Sequence, residues 1–314
     1  MNESDIKTNS FKAWILAARP KTLSGAAVPV MIGTAFAWRD AGVDYFQILP
    51  AILCFLFAFI MQIDANFIND YFDGLKGNDD RATRLGPKRA CSEGWITLPR
   101  MRTGIVITTI LACAIGLPLI FFGGMWMIAI GVLCVLFCFL YTTKLSYLGL
   151  GDLLVLLFFG TVPVCFTYFL DLPVQLQQIT WEILFASIAC GLVVDTLLIV
   201  NNYRDRDNDK RDGKMTLVVK IGAKNAERLY LVDGLVALLI MVAILANYTS
   251  GHYFQEWKVV LSIALLVLYG TLHYNTYLRM KKLNHGKELN RILGMNARNM
   301  FLFGLIVAFS VILI

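Results

Sequence analysis

The chain has 314 residues, of which 58% are hydrophobic and 16% charged. A soluble domain of this length carries about 25% charged residues, so the composition excludes an ordinary water-soluble fold. The net charge of +6 would suit a nucleic-acid partner, but the way it is distributed excludes that reading.

In chain order, residues 1–22 are polar and basic, show no cleavable signal sequence, and lead straight into the first apolar run. Nine spans follow, at about 23–39, 48–68, 104–121, 125–142, 151–170, 182–202, 229–248, 258–277 and 298–314, each near the ~20 residues that cross a bilayer. Pro29, Pro118 and Pro163 punctuate them, as membrane helices tolerate. The pattern predicts an all-α polytopic membrane protein of one domain, with nine transmembrane helices. Two longer segments, 69–103 and 203–228, are predicted as loops capping one face.

Lysine and arginine set the orientation. Of the 28, all but Arg39 and Lys258 fall at the N-terminus or in the loops after spans 2, 4, 6 and 8. This places the N-terminus in the cytoplasm and the C-terminus outside, and it accounts for the basic charge without a nucleic acid. Six of the seven cysteines lie inside apolar runs and read as small packing residues. His252, His273 and His285 show no metal-ligand spacing and read as loop or helix-end residues.

The chemistry-bearing residues form two clusters on the cytoplasmic side, each just past an apolar span. The first runs Asn66-Phe-Ile-Asn69-Asp70-Tyr-Phe-Asp73, followed by Gly77 and Asp79. Asn66, Asp70 and Asp73 recur at i, i+4 and i+7, on one helical face. The second runs Asn201-Asn202-Tyr203-Arg204-Asp205-Arg-Asp207-Asn-Asp209, with Asp212 and Lys214 beyond. Asn202, Asp205, Asp209 and Asp212 share a face, and Asp195 lies two turns inside the membrane below Asn202. The clusters form a weak internal repeat four spans apart, hence a parallel one.

Carboxylates near a helix C-terminus meet the partial negative charge of the backbone dipole, so stacking several there calls for a cation. Oxygen ligands without His or Cys suit Mg²⁺ or Ca²⁺ rather than zinc. Mg²⁺ prefers to share its shell with water and substrate phosphates. Two facing clusters therefore fit a Mg²⁺-bridged diphosphate, with nearby Lys and Arg on its remaining oxygens.

These residues resemble the UbiA superfamily of intramembrane prenyltransferases, most closely the branch that prenylates 1,4-dihydroxy-2-naphthoate. The resemblance is carried by Ala18-Arg19-Pro20-Lys21-Thr22-Leu23, by Asn66 through Asp79, by Gly86-Pro87-Lys-Arg89 with Gly94-Trp-Ile96-Thr97, and by Asn201 through Gly222. It implies nine helices around a central cavity, under a cytoplasmic cap. It implies that Asn66, Asp70 and Asp73 belong to a first Mg²⁺ site and Asp205 and Asp209 to a second. Where other branches carry a third carboxylate this chain has Gly77, and Asp79 is the candidate replacement. Arg204, Lys144, Arg19 and Lys21 are candidates for the diphosphate; Lys144, Arg19 and Lys21 read equally well as interfacial anchors. Asn202 and Tyr141 are counted with the substrate contacts. Asp195, costly inside a span, is assigned to the acceptor pocket.

The reaction so implied joins a polyprenyl chain from an allylic diphosphate to the naphthoate, with loss of CO₂, in demethylmenaquinone synthesis. An acceptor such as 4-hydroxybenzoate or homogentisate is the alternative within the superfamily. A cation-coupled transporter is the alternative outside it, disfavoured because such sites lie at the midplane in inverted repeats. The long apolar donor calls for a lateral opening to lipid, and no obligate protein partner is evident.

Overall fold

In lipid every backbone N–H and C=O must be satisfied within its own segment, which apolar runs of this length achieve only as helices. The computed structural model describes residues 6–76, 84–247 and 256–314, and these are helical with short connections. In chain order the helices are α1 (Phe11–Ala18), α2 (Leu23–Ala41), α3 (Ile48–Lys76) and α4 (Leu98–Gly116, carried on by short turns to Gly123). Then come α5 (Trp126–Leu140), α6 (Gly151–Asp171), α7 (Trp181–Arg211), α8 (Leu217–Ile221), α9 (Ala223–Asn247), α10 (Glu256–Leu283) and α11 (Leu289–Leu313).

Among the described residues, eight helices are long and apolar enough to cross a bilayer. The ninth predicted span is α2, shorter and rich in Ala and Gly, with eleven of its 19 residues buried. Each predicted span thus corresponds to a helix. α2, α6, α7, α9 and α11 share the main core around Phe36, Tyr168, Val193, Met241 and Phe303. Close approaches of backbone seal their seams. A Cβ at Gly33 would lie 2.6 Å from the Val164 carbonyl oxygen, one at Gly160 2.8 Å from Gly191 Cα, and one at Gly304 2.7 Å from Met31. By contrast α5 contributes no buried residue and stands off the bundle.

α3 has 29 residues and α7 has 31. At 1.5 Å per residue they are about 44 and 46 Å long, well beyond a hydrocarbon core of about 30 Å. Their last turns therefore project from it and carry both polar clusters. Within the predicted cap segments, 69–76 and 203–211 are the last turns of α3 and α7, and 98–103, 217–221 and 223–228 belong to α4, α8 and α9.

Two features depart from expectation. The polar N-terminal stretch holds α1, whose Ser10 Oγ accepts the Ala13 N–H at 3.3 Å as an N-cap and whose Trp14 packs edge-on against Phe67 of α3. His273 is not at a helix end: it is fully buried in α10, between the rings of Tyr230 and Tyr269.

Candidate active site

The turn between α1 and α2 is the first component. Arg19 sits at φ 52°, in the left-handed region, and this sharp reversal before Pro20 turns its side chain into the bundle. Thr22 Oγ1 donates to the Arg19 carbonyl at 2.9 Å. Asn66 Nδ2 in turn donates to Thr22 Oγ1 and the Ala18 carbonyl, both at 3.0 Å, so the first cluster fixes the Arg19 turn. Burial and the neighbouring Arg89 push the Arg19 pKa down to about 9, against the pull of Asp70. Its Nη2 is buried without a partner. A guanidinium held this way is a ready receptor for an anion.

Asp70 and Asp73 lie one turn further along α3. Asp70 is fully buried and accepts the backbone N–H groups of Ala90 and Cys91 at 2.8 and 3.0 Å. Asp73 forms a 2.7 Å ion pair with Arg89. The 89–95 turn that supplies these partners is held by its own backbone hydrogen bonds, among them Trp95 N–H to Ala90 at 2.8 Å. It is tied to the N-terminus by Asn9, whose N–H donates to the Trp95 carbonyl at 2.7 Å.

The second cluster occupies the end of α7. Arg204, nearly inaccessible, grips Asp205 through Nε at 2.9 Å and Nη2 at 2.5 Å. It also donates to Asn201 Oδ1 and Asn290 Oδ1, each at 2.8 Å. Four of its five N–H donors are thus engaged within the protein, so that it clasps Asp205, Asn201 and Asn290 together. Asp209 Oδ1 faces Lys214 at 3.5 Å, while its Oδ2 is buried without a partner. Asn202 is buried beside them.

A cavity of about 540 Å³ runs down from these clusters between α2 and α7. Arg19, Asn69, Tyr141, Thr142 and Asn201 line its polar part, and side chains such as Phe57, Phe158, Phe159 and Phe166 line the rest. Tyr141 opens a π-helical turn in which Ser146 N–H donates back to it at 3.0 Å, an irregularity common at functional sites. Asn69 accepts from Thr142 Oγ1 at 2.7 Å.

Some candidates fall elsewhere. Lys144 is exposed and lies off the cavity wall. Asp79 and the Lys21 side chain lie outside the described residues. Asp195 is not in the cavity lining: Val194, Leu197, Leu198 and Asn201 face that way, and the 100° step per residue turns Asp195 aside. It faces Asp233 of α9 instead, with its Oδ1 buried and without a hydrogen-bond partner. Asn69 and Thr142 were missed as contacts, although Asn69 stands three residues after Asn66 and so shares its face. Asn290, a lone amide outside both clusters, gave no signal.

Among the described residues no three acidic side chains converge on one point. Among the described residues at most two carboxylates of each cluster converge, all hard oxygen donors, with one orphaned oxygen at Asp209. That suits an ion completing its shell from a diphosphate and water, so the residues fit Mg²⁺.

Fold and site together define an integral membrane protein with a polar anion-and-cation site closing one end of an apolar chamber. Residues 26–305 match the UbiA prenyltransferase family, and the chain belongs to that family. It is 35% identical over 268 residues to the 1,4-dihydroxy-2-naphthoate octaprenyltransferase of Escherichia coli K12, covering 82% of this chain and 83% of the relative. It is 34% identical to the enzyme of the same name from Mycobacterium tuberculosis, covering 74% and 80%. The fold is shared with a UbiA homologue from Aeropyrum pernix at a TM-score of 0.65 and 15% identity, covering 94% and 98% of the two chains. A second, from Archaeoglobus fulgidus and bound to GPP and Mg²⁺, gives 0.62 at 15% identity, covering 96% and 100%.

Proposed function

We propose that this protein transfers a polyprenyl chain from an allylic polyprenyl diphosphate to 1,4-dihydroxy-2-naphthoate, with loss of the carboxyl group as CO₂, giving demethylmenaquinone in its quinol form. The observation that carries the reading is that Arg19, Asn69 and Asn201, next to the two acidic clusters, line the polar part of one otherwise apolar chamber: a charged head and a hydrocarbon tail are both provided for. The choice of acceptor is supported by the relatives named for it, at 32–35% identity.

Asn66, Asp70 and Asp73 would hold one Mg²⁺, and Asp205 and Asp209 the other; a fold neighbour is bound to GPP and Mg²⁺, which supports the presence of the ion. Bound there, the metal supplies Lewis-acid neutralisation of the diphosphate, worth several kcal/mol. Arg19 adds positive charge where the C1–O bond of the donor breaks and its electron pair leaves with the diphosphate. Asn69, Tyr141 and Asn201 border the reacting carbon, and the acceptor ring supplies the pair for the new C–C bond. Phe158, Phe159 and Phe166 exclude water from the allylic cation and present their faces to it. To hold the ion, Asp70 and Asp73 would release the Arg89 and backbone contacts that cover them here.

The Lys and Arg asymmetry supports a bacterial cytoplasmic membrane with both clusters on the cytoplasmic side. The test is direct. Membranes containing the protein, supplied with the naphthoate, a polyprenyl diphosphate and Mg²⁺, should yield the decarboxylated prenyl naphthoquinol by mass. Product with 4-hydroxybenzoate instead of the naphthoate would overturn the acceptor assignment, and no product with either would overturn the transfer.

A further inference from the structure

Three carboxyls lie deep in the bundle, apart from both acidic clusters. Asp152 stands in the first turn of α6, Asp195 in the middle of α7 and Asp233 in α9, and all three are buried. Carboxyls inside a membrane protein are costly to keep, so a functional role is their default reading. Both oxygens of Asp152 and Oδ1 of Asp195 are buried without a hydrogen-bond partner. Asp195 and Asp233 face each other and Asp152 acts on both; among the described residues no lysine or arginine counters them.

Position decides what each can do. Two facing carboxyls without a cation hold a proton between them, which makes Asp195 and Asp233 a proton store. Asp152 lies at the N-terminal end of α6, where the backbone dipole favours an anion. Val155, Val194 and Ala237, a turn or less away along the same helices, belong to the main core. Beyond Asp233, His273 packs on Gly234 and is stacked with Tyr230 and Tyr269, so that side of the group is closed as well.

Toward the chamber the group backs onto Tyr141. This residue lines the cavity, and a Cβ on Gly151 would lie 3.6 Å from its Cε2 and 3.8 Å from its hydroxyl. Of the carboxylates around Tyr141, Asp152 acts on it most strongly, ahead of Asp195, Asp209 and Asp73. The tyrosine thus stands between the chamber and the buried carboxyls.

The chemistry of a hydroxynaphthoate calls for such an arrangement. When the ring carbon bearing the carboxylate bonds to C1 of the donor, the adjacent hydroxyl becomes a ketone and gives up its proton. That ketone is β to the carboxylate, so the C–CO₂ bond breaks, its electron pair returns to the ring, and the oxygen takes a proton back. One proton is taken up and given back, and none is released. A proton store closed to water suits that balance.

We propose that Tyr141 and Asp152 form a proton relay for the acceptor. Tyr141 takes the hydroxyl proton as its own passes to Asp152, which shares it with the Asp195–Asp233 pair, and the same path returns it once CO₂ has left. Tyr141 touches the acceptor; Asp152 is the positioning residue behind it. The inference rests on the proposed decarboxylating transfer.

The test is Asp152→Asn, assayed with the naphthoate and with an analogue whose halogen substituents make the hydroxyl more acidic. With the naphthoate kcat should fall about 100-fold, the lower end of what a positioned proton acceptor contributes, while both KM values stay within about twofold. With the analogue, whose proton leaves more readily, the loss should shrink to less than about tenfold, whereas a merely structural role lowers both alike. Asp152→Glu keeps the carboxylate and should recover much of the activity, a comparison that holds even where the Asn variant folds poorly. Infrared spectra of the wild type in H₂O and D₂O should show a deuterium-sensitive carboxylic-acid C=O band that weakens in the Asp195→Asn/Asp233→Asn double variant. An unchanged kcat in Asp152→Asn, an equal loss with both acceptors, an Asp152→Glu protein no more active than Asp152→Asn, or a band untouched by the double variant would overturn the relay. Wild-type protein that transfers no prenyl group at all would overturn the underlying reaction instead.

Discussion

Arg204 on α7 and Asn290 on α11 are joined by a 2.8 Å hydrogen bond from Nη1 to Oδ1, and Asn290 Nδ2 donates onward to the Leu85 carbonyl at 2.8 Å. One amide thus connects the second acidic cluster to the chain segment that folds over the first. The fit is close, since a Cβ on Gly86 would stand 2.6 Å from Arg204 Nη2. Asn290→Ala removes both bonds and leaves a buried guanidinium short of an acceptor, a cost of about 1–3 kcal/mol. Steady-state assays should show kcat/KM for the donor falling about tenfold, since 1.4 kcal/mol is a factor of ten. Asn290→Asp keeps the acceptor and loses the donor, and should fall between the variant and wild type.

Asp209 and Asp205 should respond differently to the same change. Asp209 has one buried oxygen with no protein partner and one that faces Lys214 at 3.5 Å, a pair worth little near the surface, so Asp209→Asn chiefly removes a charge that a ligand uses. Transfer should drop about 100-fold or more, a loss of ~2.7 kcal/mol, while the melting temperature in detergent stays within a few degrees of wild type. Asp205→Asn also unpairs the clasp at Arg204, so activity and thermal stability should fall together. An Asp209→Asn protein with full activity would remove that residue from the metal site.

Much of the fold is written in the sequence because the bilayer allows so few answers. Apolar runs near 20 residues give helices, and the spacing Asn66, Asp70, Asp73 gives a shared face. What is not legible depends on contacts between distant segments. Nothing in Phe11–Ala18 announces a helix of its own, because its partner Phe67 is more than fifty positions away. Asn290 is one amide at the start of α11, and its role exists only once α7 and the 84–91 segment close around it. Arg204 sits inside a motif that suggests ligand binding, yet four of its five N–H donors go to Asp205, Asn201 and Asn290.

Asp195 illustrates the same difficulty and yields a clear test. Its burial invites a functional role, but it faces the Asp233 carboxyl across the α7–α9 interface, off the cavity lining. Asp195→Asn keeps a hydrogen-bonding group toward Asp233 and should leave the KM for the naphthoate within about twofold. Asp195→Leu strands Asp233 in an apolar interior, at about 1–3 kcal/mol. Thermal unfolding in detergent should show the loss for Leu and little change for Asn. A large shift in naphthoate KM for Asp195→Asn would restore this residue to the acceptor pocket.

Metal and diphosphate should bind as a pair, because each cluster lacks the ligands to hold Mg²⁺ alone and Arg19 lacks an anion. Inorganic pyrophosphate is a suitable probe, since it presents the head without the tail. A ligand at 100 times its Kd stabilises the folded state by about 2.7 kcal/mol, which at roughly 2–4 °C per kcal/mol for larger domains is a rise of about 5–10 °C. Mg²⁺ plus pyrophosphate should give a shift of this order, and either one alone, or both with EDTA, much less. Arg19→Gln sharpens the sign. Burial and Arg89 disfavour the charged guanidinium in the empty protein, so the variant without ligand should melt at or above the wild-type temperature while losing most of the ligand-induced rise. A variant that keeps the full rise would show that Arg19 does not contact the diphosphate, and a wild-type rise that survives EDTA would remove the metal from the site.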